Sequence, residues 1–157
     1  MEFHGIPLHP LVVHGAVVFT PLAALAAICF AVVERWRVHL RWPTAVLAVV
    51  AAGNCYAARV TGRNLFNKLT ASGFHNKWLT IHQHRANILV WIVLALAVLV
   101  VLATLVVPAG TQVARLSTSP TLVLGVRVLV VAVAAAALVY VYLTGDAGAR
   151  SLWAPTS

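Results

Sequence analysis

Acidic residues are nearly absent from this chain. Its 157 residues include only Glu2, Glu34 and Asp146 against eleven lysines and arginines, and all charged residues together make up 9%. Soluble domains carry about a quarter charged residues, so the composition argues against a soluble globular domain. A hydrophobic fraction of 62% and a mean hydropathy of +0.95 are typical of an integral membrane protein.

The chain has only two cysteines, and it has no basic leader. Cys29 and Cys55 both lie inside apolar segments, which predicts two small buried side chains rather than a disulfide framework. No Lys or Arg precedes the first apolar run, so a cleaved signal peptide is not expected. The net charge of +8 comes without a basic tail or a basic patch interleaved with aromatics. Lipid headgroups, not nucleic acid, are therefore the expected partners of this charge.

Four apolar segments dominate what is present. Because a membrane helix needs about 20 apolar residues, we predict four spans, at residues 10–33, 43–60, 86–107 and 121–143. The chain is expected to form a single all-α domain over residues 1–157, an integral membrane four-helix bundle with up-down-up-down topology. Four spans place both termini on the same side of the membrane.

Prolines and tryptophans mark the expected ends of the first two spans. Pro10 and Pro43 suit a first helical turn, and Pro21 predicts a kink inside the first span. Trp36 and Trp42 are expected to bracket a short basic loop, as interfacial anchors do.

The longest polar connection runs from Thr61 to about Thr80. Within it, Leu65, Phe66 and Leu69 share one helical face, which favours a short helix on the membrane surface. An irregular loop with apolar anchors explains the pattern equally well. In either case Ser72-Gly73 should interrupt it, and the fourth span is expected to close at Thr144–Gly148.

The basic residues give conflicting indications of orientation. Arg35, Arg37 and Arg41 follow the first span closely and none precedes it, which favours termini outside under the positive-inside rule. The total numbers of Lys and Arg on the two sides slightly favour termini inside. We predict termini outside.

Most of the remaining polar chemistry is expected on one side of the membrane. Spans one and three begin there, and spans two and four end there. The residues that this topology gathers are His9, His14, Arg59, Arg63, His75, His82, His84 and Asp146.

One interpretation of this group is a haem b site, because two neutral imidazoles on facing helices can ligate iron. His14 is the preferred ligand, since it lies deepest in the span, and His82 or His84 would oppose it. Arg59 or Arg63 could pair with the haem propionates.

Helical spacing limits which histidines can act together. His9 and His14 are five residues apart and diverge by about 140°, so they would not both face one iron. His82 and His84 diverge by about 200°, so at most one of them points into the bundle.

Two other interpretations stay open. Several histidines could bind a divalent metal ion, or they could simply bond backbone carbonyls and headgroups at the interface. His9, set between prolines, is a further candidate cofactor-binding residue, or else it fixes the chain entry by bonding backbone, and His75 is expected to be solvated. On the opposite side, Arg127 is expected to snorkel outward, because no carboxylate lies near it.

A family resemblance rests on these same residues. The opening Gly5-Ile-Pro-Leu-His-Pro-Leu-Val-Val-His14, followed by Pro21-Leu-Ala-Ala, is similar to the start of the DUF2231 family of predicted bacterial membrane proteins. Thr61-Gly62 after the second span, with His82 or His84 ahead of the third, also resembles that family. So does the close, Thr144-Gly-Asp-Ala-Gly-Ala149 with Trp153 after it, although Asp146 stands where a His is often found.

The resemblance implies a small, four-spanning protein of the bacterial inner membrane. Some members are fused to a Rieske iron–sulfur domain, which implies a redox setting. We therefore expect a non-enzymatic redox-associated accessory subunit, binding haem b or passing electrons, that works with other membrane subunits or as a homo-oligomer. The alternatives are a purely structural accessory subunit without a cofactor and, ranked third, a metal-binding or transport protein.

Overall fold

The computed structural model describes residues 2–3, 6–109 and 119–153. Gly5 of the opening motif and most of the connection before the fourth span lie outside these residues. The described chain forms four long helices, α1 (Leu8–Val32), α2 (Arg37–Ala71), α3 (Lys77–Val106) and α4 (Pro120–Trp153). A 3-10 turn at Glu34–Trp36 joins α1 to α2, and two short antiparallel strands, β1 (Glu2–Phe3) and β2 (Ile6–Pro7), precede α1.

All four helices are long and apolar enough to cross a membrane, which confirms the predicted all-α membrane bundle. They pack in a ring, α1 on α2, α2 on α3, α3 on α4 and α4 on α1, whereas α1 and α3 touch only slightly across the diagonal. Contacts between α2 and α3 show their opposite directions, because Arg41 bonds Thr104 whereas Arg59 bonds Asn87.

Many of the buried side chains of α1 and α2 are small. They are fully or almost fully buried, and comprise Ala23, Ala24, Ala27, Ala48 and Ala51. Small residues let membrane helices approach closely, while many leucines and valines face outward, where lipid would solvate them. The bundle interior is therefore narrow and apolar, so polar chemistry concentrates at its two ends.

The segment after the second predicted span is neither a surface helix nor a loop. It continues α2 without a break to Ala71, giving a helix of 35 residues, because no proline interrupts it and its apolar side chains pack inward. Leu65 and Phe66 line a cleft beside α3. The predicted interruption is present, since the helix ends before Ser72 and Gly73 adopts a positive φ of 84°.

Two further boundaries also differ from the predictions. The fourth helix does not close at Thr144–Gly148 but extends to Trp153, because α3 begins at Lys77 and packs along these turns. The basic loop predicted between the first two spans is absent. A single 3-10 turn replaces it, and α2 begins at Arg37, so Pro43 lies inside the helix rather than at its start.

Arg127 does not snorkel outward. Its Nε donates a 2.7 Å hydrogen bond to the carbonyl of Ala31, at the end of α1. The last carbonyls of a helix lack intrahelical donors and carry the negative end of its dipole. The Ala31 carbonyl therefore accepts the hydrogen bond of Arg127 in place of a carboxylate.

Hydrogen exchange checks the length of α2. In the protein purified in detergent, amides of residues 63–70 should exchange on the order of a hundredfold more slowly than that of exposed His75, because helical amides are hydrogen-bonded. Exchange as fast at residues 63–70 as at His75 would contradict a continuous helix.

Candidate functional site

His9, in the first turn of α1, reaches across to α2. Its Nδ1 lies 3.1 Å from the Ala58 carbonyl and 3.3 Å from Thr61 Oγ1. The Thr61 hydroxyl already donates to carbonyls of its own helix, so both groups near the His9 ring are acceptors. In the neutral imidazole, Nδ1 therefore carries the hydrogen and Nε2 keeps its lone pair. The expected backbone bond is present, and it ties α1 to α2.

His82, on the second turn of α3, makes the corresponding bond to α4. Its Nδ1 donates to the Thr144 carbonyl at 2.8 Å, so its Nε2 also keeps a lone pair. Arg85 donates to the adjacent Leu143 carbonyl at 2.8 Å, and Asn76 donates to the Ser151 carbonyl at 3.1 Å. Three side chains at the start of α3 thus hold the last turns of α4.

The His9 and His82 rings meet across the bundle. Their centroids are 6.3 Å apart and their planes cross at 71°, edge to face. The two residues lie on α1 and α3, which are diagonal in the ring of helices, so the pair occupies the middle of this end of the bundle.

Two glycines make room for the rings. A Cβ at Gly62 would lie 2.9 Å from His9 Cε1, and a Cβ at Gly148 would lie 3.0 Å from His82 Nδ1. Both are closer than ordinary carbon contacts, so any larger residue would push the ring. Gly62 of α2 and Gly148 of α4 therefore leave the space that the His9 and His82 rings occupy.

A cleft of about 50 Å³ lies beside the ring pair, between α1, α2 and α3. That is room for one or two water molecules. Apolar side chains form part of its wall, and the polar lining consists of His9, Arg59, Arg63, His82, Gln83 and Asn87. No carboxylate lines it within the described part of the chain, so its charge favours an anion.

Arg59 is the best-held cation of the cleft. Its Nε donates to Asn87 Oδ1 at 2.9 Å, and its guanidinium lies 5.9 Å from the centroid of the Trp91 ring. Arg63, one turn later on α2, is exposed at the rim. The prediction that both arginines share a side with the histidines agrees with this geometry.

His14 does not point into the bundle, contrary to the prediction from its depth. Its ring is exposed, and Nδ1 donates to the Pro10 carbonyl of its own helix at 2.6 Å. An imidazole this deep along α1 requires a hydrogen-bond partner, and the Pro10 carbonyl, four residues earlier, is that partner. His9 and His14 face different directions, as predicted, and His9 is the one that faces inward.

Two other histidines lie outside the cleft. His84 is exposed whereas His82 faces inward, in agreement with the predicted divergence, and His75 is exposed. Asp146 pairs with Arg150 of its own helix at 2.9 Å. Four of the six predicted binding residues therefore meet at the cleft, namely His9, Arg59, Arg63 and His82, and His14 and His84 do not.

Sequence reasoning missed Gln83 and Asn87. They are four residues apart and so lie on one face of α3, a spacing that could have singled them out beside His82. Among the described residues, no three His, Cys, Asp or Glu side chains come together as metal ligands. The described residues thus contain no cluster of several histidines that could form a metal site.

Comparison with known proteins gives one match. The model of a family described as "Predicted membrane protein (DUF2231)" matches residues 5–155. No curated protein and no solved structure matches the chain.

Gly148→Ala tests the close approach at His82. The added methyl group should displace the ring from the Thr144 carbonyl and destabilise the protein by roughly 1–3 kcal/mol, measured as a lower thermal unfolding temperature in detergent. The matched control is Gly145→Ala on the same helix, where a Cβ meets no atom within 4 Å. Equal unfolding temperatures for the two variants would contradict the packing described here.

Proposed function

The chain belongs to the DUF2231 family of predicted membrane proteins, and we propose that it is a non-enzymatic, redox-associated accessory subunit of a membrane complex that binds haem b between His9 and His82. The observation that carries this proposal is the pair of imidazoles from diagonal helices, each anchored through Nδ1.

His9 and His82 would hold the iron through Nε2, the ring nitrogen that bonding at Nδ1 leaves available. Each Nδ1 bonds a backbone carbonyl, and such a bond is what fixes the tautomer and orientation of a ligating histidine.

The charge of the cleft favours haem over a bare metal ion. Arg59 and Arg63 line the same cleft as the two rings, and they would repel a divalent cation. Guanidinium groups suit carboxylates, so these two residues would hold the propionates. This also weighs against the metal-binding and transport alternatives.

The side chains of the cleft suit haem, but the cleft is large enough for haem only if the helices move apart. About 50 Å³ is far below the roughly 300–1,000 Å³ typical of small-molecule sites. Because α1 and α3 touch only slightly, their ends could separate while His9 stays bonded to α2 and His82 to α4. When bound, haem would supply one-electron transfer.

A purely structural subunit is the second candidate. It is favoured by the fact that His9 and His82 already tie neighbouring helices together through backbone carbonyls, without any cofactor. The chain would then pack against other subunits or a second copy through its apolar faces.

Absorbance separates the two candidates. The protein purified with haem supplied should show a Soret band, and His9→Ala or His82→Ala should weaken and shift it, because each variant loses one of the two imidazoles that would hold the iron. His14→Ala and His84→Ala are the matched controls, since both side chains are exposed, and they should keep the band. A colourless wild-type protein, or a band unaffected by His82→Ala, would refute the haem proposal.

A further inference from the structure

The end of the bundle opposite His9 and His82 buries two arginines of α2. Arg37 is 4% exposed and Arg41 is 6% exposed. Arg127 of α4 lies at the same end of the bundle, because its Nε donates to the Ala31 carbonyl in the last turn of α1. Charged side chains are almost never buried unless they are paired, so this convergence of like charges requires compensating negative charge.

Backbone carbonyls supply part of that compensation. Arg41 Nη2 donates to the Thr104 carbonyl and Arg127 Nε to the Ala31 carbonyl, both near the ends of helices that carry partial negative charge. Of the residues that the structure describes at this end, Glu34 alone has a carboxylate. It lies 3.5 Å from Arg37 Nη1 but is 87% exposed, so water screens the pair.

Two buried polar atoms here also lack a hydrogen bond to any described residue. They are Arg37 Nε and Thr44 Oγ1. Residues 37, 41 and 44 follow the spacing of a single helical face, and that face carries two guanidinium groups and a hydroxyl. A buried donor left without an acceptor is destabilising, and an acceptor with several oxygens would relieve this.

Tryptophans place this cluster at the level of lipid headgroups. Trp36 and Trp42 are exposed, and arginines lie over their rings, Arg35 at 5.5 Å from the centroid of Trp36 and Arg41 at 5.7 Å from that of Trp42. Exposed tryptophans occupy the interface between headgroups and acyl chains, where phosphate groups are abundant.

We propose that Arg37, Arg41 and Thr44 of α2, together with Arg127 of α4, form a binding site for an anionic phosphate group. Guanidinium forks match phosphate oxygens in geometry as well as charge, and a hydroxyl adds a further donor. The phosphate belongs either to an anionic phospholipid or to a soluble phosphate ion.

Thermal unfolding of the full chain in an uncharged detergent tests this site. Phosphatidylglycerol, phosphatidylcholine and inorganic phosphate are titrated separately. We expect phosphatidylglycerol to raise the unfolding temperature at roughly tenfold lower concentration than phosphatidylcholine. Protection by inorganic phosphate as well would assign the site to soluble phosphate, and protection by phosphatidylglycerol alone would assign it to lipid. Equal protection by both lipids without protection by phosphate would overturn the proposal.

Arg127→Gln and Arg35→Gln form the matched pair of variants. Each removes one positive charge at this end, but exposed Arg35 is not among the site residues. Arg127→Gln should need roughly tenfold more phosphatidylglycerol for the same protection, or more phosphate if that is the ligand, and Arg35→Gln should behave as wild type. Equal responses from the two variants would show general attraction to the surface and overturn the proposal. Because substitution of buried Arg37 risks unfolding, Arg127 carries the test.

Discussion

A side chain that donates to the backbone carbonyl of a neighbouring helix is the interaction on which this bundle depends. His9 bonds α2, His82 bonds α4, and Arg127 bonds the end of α1. Lipid supplies no hydrophobic force between helices, so close packing and interhelical hydrogen bonds must hold them. Alanines supply the packing along the middle, and these bonds fix the two ends.

The two ends use this interaction differently. At one end neutral imidazoles are tied through Nδ1, so that Nε2 of each ring keeps a lone pair that can bind a ligand. At the other end the guanidiniums of Arg37 and Arg41 are buried, and Arg41 and Arg127 donate to backbone carbonyls. The first end is therefore suited to a ligand that accepts an imidazole lone pair, and the second to one that brings negative charge. The glycines at 62 and 148 matter only at the first end, where they admit the rings.

The sequence was sufficient to predict the membrane class, the four helices and the gathering of polar residues, because these follow from long apolar runs and their alternation. It also separated His82 from His84 by helical period. The choice of His14 over His9 as the inward-facing ligand is wrong, because depth in a span says nothing about which face a residue occupies. The prediction also ended the second span too early, because hydropathy marks where hydrocarbon stops and not where a helix stops. Arg37 and Arg41 were assigned to a loop for a related reason: the start of α2 carries no apolar pattern.

Nitrogen-15 NMR of the imidazoles tests the central claim most directly. Histidine is labelled at both ring nitrogens, and each signal is assigned by substitution. Spectra are recorded at about pH 8, which is above the usual histidine pKa of about 6.5. In the neutral form of His9 and of His82, the hydrogen should lie on Nδ1 and Nε2 should be unprotonated. Either ring found protonated at Nε2 instead would mean that it does not donate to the carbonyl of the neighbouring helix, which would contradict the account.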